Sequence, residues 1–233
     1  MLEVFQDLDA LSRAAARRIV ALGSEAVAAR GRFDWLLAGG STPERTYDIL
    51  AAEHRDRHDL WRKTHFYWGD ERCVPPQDPQ SNYALAERSL LTPLAIPAEN
   101  IHRVRGEASD REAAAAQYEA VLPDRADLVL LGLGEDGHTA SLFPDSPALE
   151  EEYRRVLAVD GAKAPKQRIT VTPPVLRAAR GVMVLVSGKA KAEALRLALA
   201  AEGDVRRTPA RLVRHGVWLA DREAASALAC PAW

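Results

Sequence analysis

This chain lacks any marked excess of positive or negative charge: 31 basic and 33 acidic side chains leave a formal net charge of −2 over 233 residues. A balance so near neutral gives no general attraction to nucleic acid or to an anionic membrane. Aromatic residues make up only 6%, with no basic-aromatic stripe on which bases would stack. No apolar stretch approaches the ~20 residues of a membrane span. The opening Met1-Leu-Glu-Val-Phe-Gln-Asp-Leu-Asp9 carries acids where a signal peptide has its apolar core. Cysteine is nearly absent. Cys73 and Cys230 fit a reduced intracellular protein better than a stapled secreted one, so cytoplasm is the expected compartment. Cys73 has no flanking base and reads as an inert thiol. Lysine is scarce as well, confined to Lys63, Lys163, Lys166, Lys189 and Lys191. No cysteine or histidine cluster suggests a metal. His54 and His58 lie four apart in a charged connector without a third ligand, a solvated face.

What is present is a globular balance of 47% apolar and 27% charged residues. The length suits one α/β domain over residues 1–233, able to bury a core without disulfides or metal. Apolar residues at steps of three and four predict a helix over 8–29. Strands are predicted at 35–38, 65–68, 128–131, 168–172, 182–186 and 216–219. Further helices are predicted at 43–53, 82–91, 110–121, 188–201 and 221–228, with a loop over 74–82. Strands alternating with helices argue for βαβ units and a mainly parallel sheet flanked by helices. There is no internal repeat, low-complexity tract or convincing linker.

Four strand exits carry chemistry. The run Leu128-Val-Leu-Leu-Gly-Leu-Gly-Glu-Asp-Gly-His138 turns from apolar residues into glycines, acids and one histidine. In open α/β sheets ligands gather beyond the carboxyl ends of strands, which puts Asp136 and His138 where a substrate would sit. Imidazole suits proton transfer near neutral pH, although a solvated loop histidine fits the same pattern. After strand 35–38, Gly39-Gly40-Ser41-Thr42-Pro43 opens a helix. Ser41 or Thr42 is the expected cap, and the amide hydrogens with the helix dipole suit phosphate. An ordinary capped turn fits this segment equally well. Asp70, Glu71 and Arg72 follow strand 65–68, where an arginine fork would hold a carboxylate, phosphate or polarised carbonyl. A solvated charge cluster is the bland counterpart. Ser187-Gly-Lys-Ala-Lys191 leaves strand 182–186 with Lys189 or Lys191 in the first turn of a helix, a placement the dipole opposes unless an anion binds there. Arg168 at the start of strand 168–172 could add another positive charge. Surface lysines are the alternative.

Taken together, and in this order, these segments resemble the 6-phosphogluconolactonase family. The matching pieces are Ala38 to Pro43, Asp70 to Pro75 with Ser81-Asn-Tyr83, Leu133 to Pro144, Arg168 to Thr172, and Ser187 to Ala192. Pro209 to Val213 and Asp221 to Ala225 extend the resemblance over nearly the whole chain. It implies a Rossmann-like three-layer α/β fold similar to glucosamine-6-phosphate deaminase. It also implies hydrolysis of 6-phospho-D-glucono-1,5-lactone to 6-phosphogluconate without metal or organic cofactor. In that light His138 would be the general base and Asp136 would orient the imidazole or a substrate hydroxyl. Arg72 would stabilise charge on the carbonyl oxygen, and Asp70 would hold sugar or water. Gly39, Gly40, Ser41, Thr42, Arg168 and Lys191 would grip the phosphate. The deaminases carry a glutamate five residues beyond the histidine, whereas Phe143 stands there in this chain. A sugar-phosphate sensor without catalysis is the second reading. The retained Asp136-Gly-His138, and the absence of a DNA-binding segment in the sequence, argue against it. The expected partner is a small phosphosugar lactone, with no nucleic acid, membrane or obligate protein partner inferred.

Overall fold

The fold was analysed in a computed structural model that describes residues 1–161 and 164–228. Lys163 and Cys230 lie outside the described residues. The elements run β1 (Leu2–Phe5), α1 (Leu8–Arg30), β2 (Phe33–Leu37), α2 (Ser41–Glu53), α3 (His58–Trp61), β3 (Thr64–Trp68) and β4 (Asp70–Arg72). Then come α4 (Asn82–Ala86), α5 (Arg111–Val121), β5 (Leu128–Gly132), β6 (Val156–Asp160), β7 (Gln167–Val171), α6 (Pro173–Ala178), β8 (Val182–Val186), α7 (Ala192–Leu199) and β9 (Val217–Asp221).

Six strands form one sheet in the order β1-β9-β8-β5-β2-β3, with every pairing parallel. Strands β2 and β8 are buried at every position, as expected for parallel strands covered on both faces. That is why they read as unbroken apolar runs. Trp35, Trp68 and Trp218 on the sheet and Trp61 beside it are among the largest fully buried side chains. Trp35 meets Phe33, Tyr47 and Phe66 at ring-centroid distances of 6.1, 5.9 and 5.7 Å, within the range of favourable aromatic pairs.

A second, three-stranded sheet has the order β4-β7-β6 and is antiparallel throughout. Here the sequence expectations need correcting. Strand β7 belongs to this small sheet, not to the parallel one. Strands β1, β4 and β6 are additional to those expected: β1 and β4 have only four and three residues, and all three carry charged residues. The 82–91 helix is α4 followed by a wider π-type turn over Glu87–Leu91. The 188–201 helix is a 3₁₀ turn over Lys189–Lys191 followed by α7. The 221–228 helix reduces to one 3₁₀ turn, Ala224–Ala227. His54 closes α2 and His58 opens α3, so the two histidines do not share a helix.

Two buried tyrosines fix the strand ends that matter. The Tyr47 hydroxyl donates to the Ala38 carbonyl at 2.8 Å and accepts from the Ala38 N–H at 3.1 Å. Tyr118 does the same for Trp68, at 2.8 and 2.6 Å. Each satisfies main-chain groups at a strand terminus that would otherwise be buried without partners. The segments that leave β2 and β3 therefore start from rigid points.

Candidate active site

Because the strands of the main sheet are parallel, the exits of β2, β3, β5 and β8 all lie on one side. Leu37 to Gly40, Gly69, Asp70, Arg72, Gly132 to Gly134, His138, Arg168 and Lys191 line a single cleft there. The structure thus brings Gly39, Gly40, Asp70, Arg72, His138, Arg168 and Lys191 together. Of the two lysines, Lys191 is on the wall and Lys189 is not. Ser41 and Thr42 begin α2 beside the cleft without lining it, and Asp136 stands behind His138.

Gly40, at φ 99°, is the N-cap of α2, and no side chain caps this end. The expected hydroxyl cap is therefore absent. With neither Ser41 nor Thr42 in that role, the first amide hydrogens of a 13-residue helix keep no side-chain acceptor and lie beside the cleft, an arrangement suited to an anion.

His138 is held by its predecessor in the loop. Its Nδ1 lies 2.5 Å from Asp136 Oδ1, which also accepts from the His138 N–H at 3.2 Å. The imidazole is the chief cause that lowers the Asp136 carboxyl to about 2. An ionised carboxylate only accepts, so in the neutral imidazole this contact selects the tautomer with the proton on Nδ1 and the lone pair on Nε2. Nε2 has no partner among the described residues. Gly134 allows this pairing: a Cβ there would lie 2.0 Å from Nδ1 and 2.5 Å from Asp136 Oδ1.

The acidic residues after β3 divide their work. Glu71 is 3% exposed and accepts from the amides of Arg72, Asn82 and Tyr83 and from Ser81 Oγ. Burial raises its carboxyl above the usual range while these four donors pull it down. It is a staple for the 81–83 segment. Asp70 Oδ2 accepts from Ser141 Oγ at 2.6 Å and Oδ1 from Asn82 Nδ2 at 3.2 Å. It joins β4, the histidine loop and the start of α4 at the cleft wall.

The cationic wall is under-neutralised. Arg168 is 8% exposed, donates through Nε to the Pro165 carbonyl, and reaches Asp70 only at 3.9 Å. Burial, with Arg72 acting in the same sense and Asp70 opposing, draws its guanidinium below the usual arginine range. Arg72 donates to the Gln80 carbonyl, while its buried Nε has no partner. Lys191 Nζ lies 3.8 Å from Glu135. Behind this wall Asp221 takes hydrogen bonds from Ser187 Oγ and from the amides of Gly188 and Ala224, fixing the loop from which Lys191 projects. Asn82, Ser141, Gly134 and Asp221 were not singled out in the sequence by role. Asn82, Ser141 and Asp221 act through partners far along the chain, and Gly134 through a side-chain approach that no spacing displays. Among the described residues no three metal-ligating side chains converge, and no helix is long and apolar enough to cross a membrane.

Residues 6–220 match the family model described as glucosamine-6-phosphate isomerases/6-phosphogluconolactonase. The chain is 39% identical to the 6-phosphogluconolactonase of Mycobacterium tuberculosis, over 97% of this chain and 98% of the relative. It is also 39% identical to that of Synechocystis, over 86% and 87%. Among solved structures, the 6-phosphogluconolactonase of Trypanosoma brucei superposes with a TM-score of 0.86 at 31% identity, covering 98% of both chains. A monomeric glucosamine-6-phosphate deaminase superposes with a TM-score of 0.81 at 24% identity over 97% of this chain and 99% of that one, a likeness of fold.

Proposed function

The chain belongs to the glucosamine-6-phosphate isomerase/6-phosphogluconolactonase family, and from that membership we propose that it hydrolyses 6-phospho-D-glucono-1,5-lactone to 6-phospho-D-gluconate. One observation carries the reading: an oriented imidazole and an under-neutralised cationic wall line the same cleft. The relatives from Mycobacterium tuberculosis, Synechocystis and Trypanosoma brucei are 6-phosphogluconolactonases, and the step this site would perform follows from its groups.

His138 Nε2 takes a proton from water as the oxygen attacks the lactone carbonyl carbon. Asp136 keeps the Nδ1 proton in place and stabilises the imidazolium that forms. Arg72 offsets the charge on the carbonyl oxygen of the tetrahedral intermediate. When the intermediate collapses, the bond to the ring oxygen breaks and the imidazolium returns its proton to that oxygen, giving the hydroxy acid. Asp70 lines the wall where the sugar lies. At the far end the dianion is met by the amides of the Gly39–Gly40 turn, the start of α2 at Ser41 and Thr42, Arg168 and Lys191. An ester carbonyl is electrophilic already, so the groups present suffice for the chemistry.

The deciding experiment is His138→Ala with freshly prepared lactone. Catalysed hydrolysis falls by at least ~100-fold while 6-phosphogluconate binds within about 3-fold of wild type. Undiminished turnover would remove His138 as the base. A wild-type chain that binds the phosphosugar but leaves the lactone at its spontaneous rate would make it a sensor.

A further inference from the structure

A hydrogen bond from Nδ1 to Asp136 fixes one end of the His138 ring but leaves it free to roll about that bond. Gly134 closes the space beside Nδ1 and Cε1. Against the ring stands Phe143, whose centroid lies 4.8 Å from that of His138 at an interplanar angle of 45°. Phe143 is 9% exposed and is not among the residues lining the cleft.

The ring is itself held firmly. It leaves a tight turn in which Ala140 adopts φ +49°, a left-handed conformation that a non-glycine residue keeps only when its surroundings impose it. Ser141, inside that turn, donates through Oγ to Asp70 and through its amide to Thr170 Oγ1. From another direction Gly161 leaves room for the ring, since a Cβ there would stand 2.9 Å from both Phe143 Cε2 and Cζ. The Arg168 guanidinium carbon is 5.9 Å from the same ring centroid, at the outer reach of a cation–π contact. The ring is therefore close to the base and only at the edge of contact with the cationic wall.

We propose that Phe143 is a positioning residue, setting the roll of the His138 imidazole so that Nε2 meets the water and carbonyl, while Gly161 backs it from behind. The proposal rests on the lactonase reading above. Alignment within a fraction of an ångström decides the rate of such a step, whereas substrate binding at the phosphate end does not depend on the roll of the imidazole.

The test compares wild type, Phe143→Leu and Gly161→Ala on fresh lactone, with 6-phosphogluconate affinity measured by calorimetry. Phe143→Leu lowers kcat by roughly 10-fold or more and leaves the affinity within about 3-fold. Gly161→Ala changes no group at the cleft, yet its Cβ displaces the ring and lowers kcat by roughly several-fold. A purely space-filling Phe143 predicts instead a lower melting midpoint with kcat preserved. Should Phe143→Leu fail to fold, Gly161→Ala decides alone. Retention of kcat within about twofold in every variant that folds, or a loss confined to KM, overturns the assignment. A wild-type chain without catalysed hydrolysis overturns the lactonase reading and this proposal with it.

Discussion

Arg72 and Arg168 are direct Cα partners across the antiparallel pair β4–β7, and both line the cleft. Like charges opposite one another on a sheet oppose pairing by a few tenths to ~1 kcal/mol. The carboxylate nearest Arg168 is Asp70, at 3.9 Å and already engaged by Ser141 and Asn82. A dianion held by Arg168 offsets part of this repulsion, so ligand binding and stability are coupled. At a 6-phosphogluconate concentration of about 100 Kd the fold gains ~2.7 kcal/mol. For a chain of this length that raises the melting midpoint by roughly 5–10 °C. Arg168→Met is expected to reduce the rise to below about 2 °C at the same ligand concentration. An undiminished rise, read by scanning fluorimetry, would take Arg168 out of the grip.

The Asp136–His138 pair makes a prediction of its own. Asp136→Asn preserves shape, but its amide donates to Nδ1 and so shifts the imidazole proton to Nε2, the wrong tautomer for a base. The expected loss in kcat is about 10²–10⁴-fold with KM little changed. The pH dependence of stability follows from the carboxyl lowered from 3.8 to about 2. A depressed acid stabilises the fold in its ionised form, fully above pH 3.8, and loses that contribution as pH falls toward 2. The stability difference between wild type and Asp136→Asn is therefore constant down to about pH 5 and shrinks by pH 3. With 42% of the Asp136 side chain exposed, solvent screening keeps the difference small. Urea midpoints at the two pH values check it, and a difference that does not shrink would contradict the stabilising contact between Asp136 and His138.

The parallel framework was legible because β2, β3, β5 and β8 are largely or wholly buried and end in glycine-bearing loops, a pattern local to each segment. Strand β4 was not, because Asp70-Glu-Arg72 has the composition of a surface loop. It becomes a strand through β7, and Glu71 is buried with four donors, the amide of Arg72 in its own strand and three groups of the 81–83 segment. The helix expected at 221–228 failed for a related reason. Asp221 is still the last residue of β9, and its carboxylate is shared between the lysine loop at Ser187 and Gly188 and the amide of Ala224, where only a single 3₁₀ turn follows. The cationic residues were visible as types and positions. That Lys191, not Lys189, reaches the cleft depends on the 3₁₀ turn of Lys189–Lys191 after Gly188, which has φ 91°, a backbone conformation that periodicity does not reveal.

Gly134 separates stability from catalysis. Its amide donates to the His138 carbonyl at 2.8 Å and its carbonyl accepts from Gly137 at 3.0 Å, and its φ lies outside the left-handed region. Alanine is thus compatible with the backbone, and only the new methyl matters. That methyl would stand 2.0 Å from His138 Nδ1, 2.3 Å from Cε1 and 2.5 Å from Asp136 Oδ1. These are ends of rotatable side chains, so the cheap response is for the imidazole and carboxylate to move apart while the turn persists. Gly134→Ala is expected to keep its melting midpoint within about 4 °C of wild type, a change of roughly 1 kcal/mol or less. Over the same substitution kcat drops by ~100-fold, because a displacement of about 1 Å at the base costs that much. Phosphosugar affinity, which depends on the opposite end of the cleft, stays within about 3-fold. If the variant turns over lactone normally, the imidazole does not need its present seat, and the base assignment loses its geometric support.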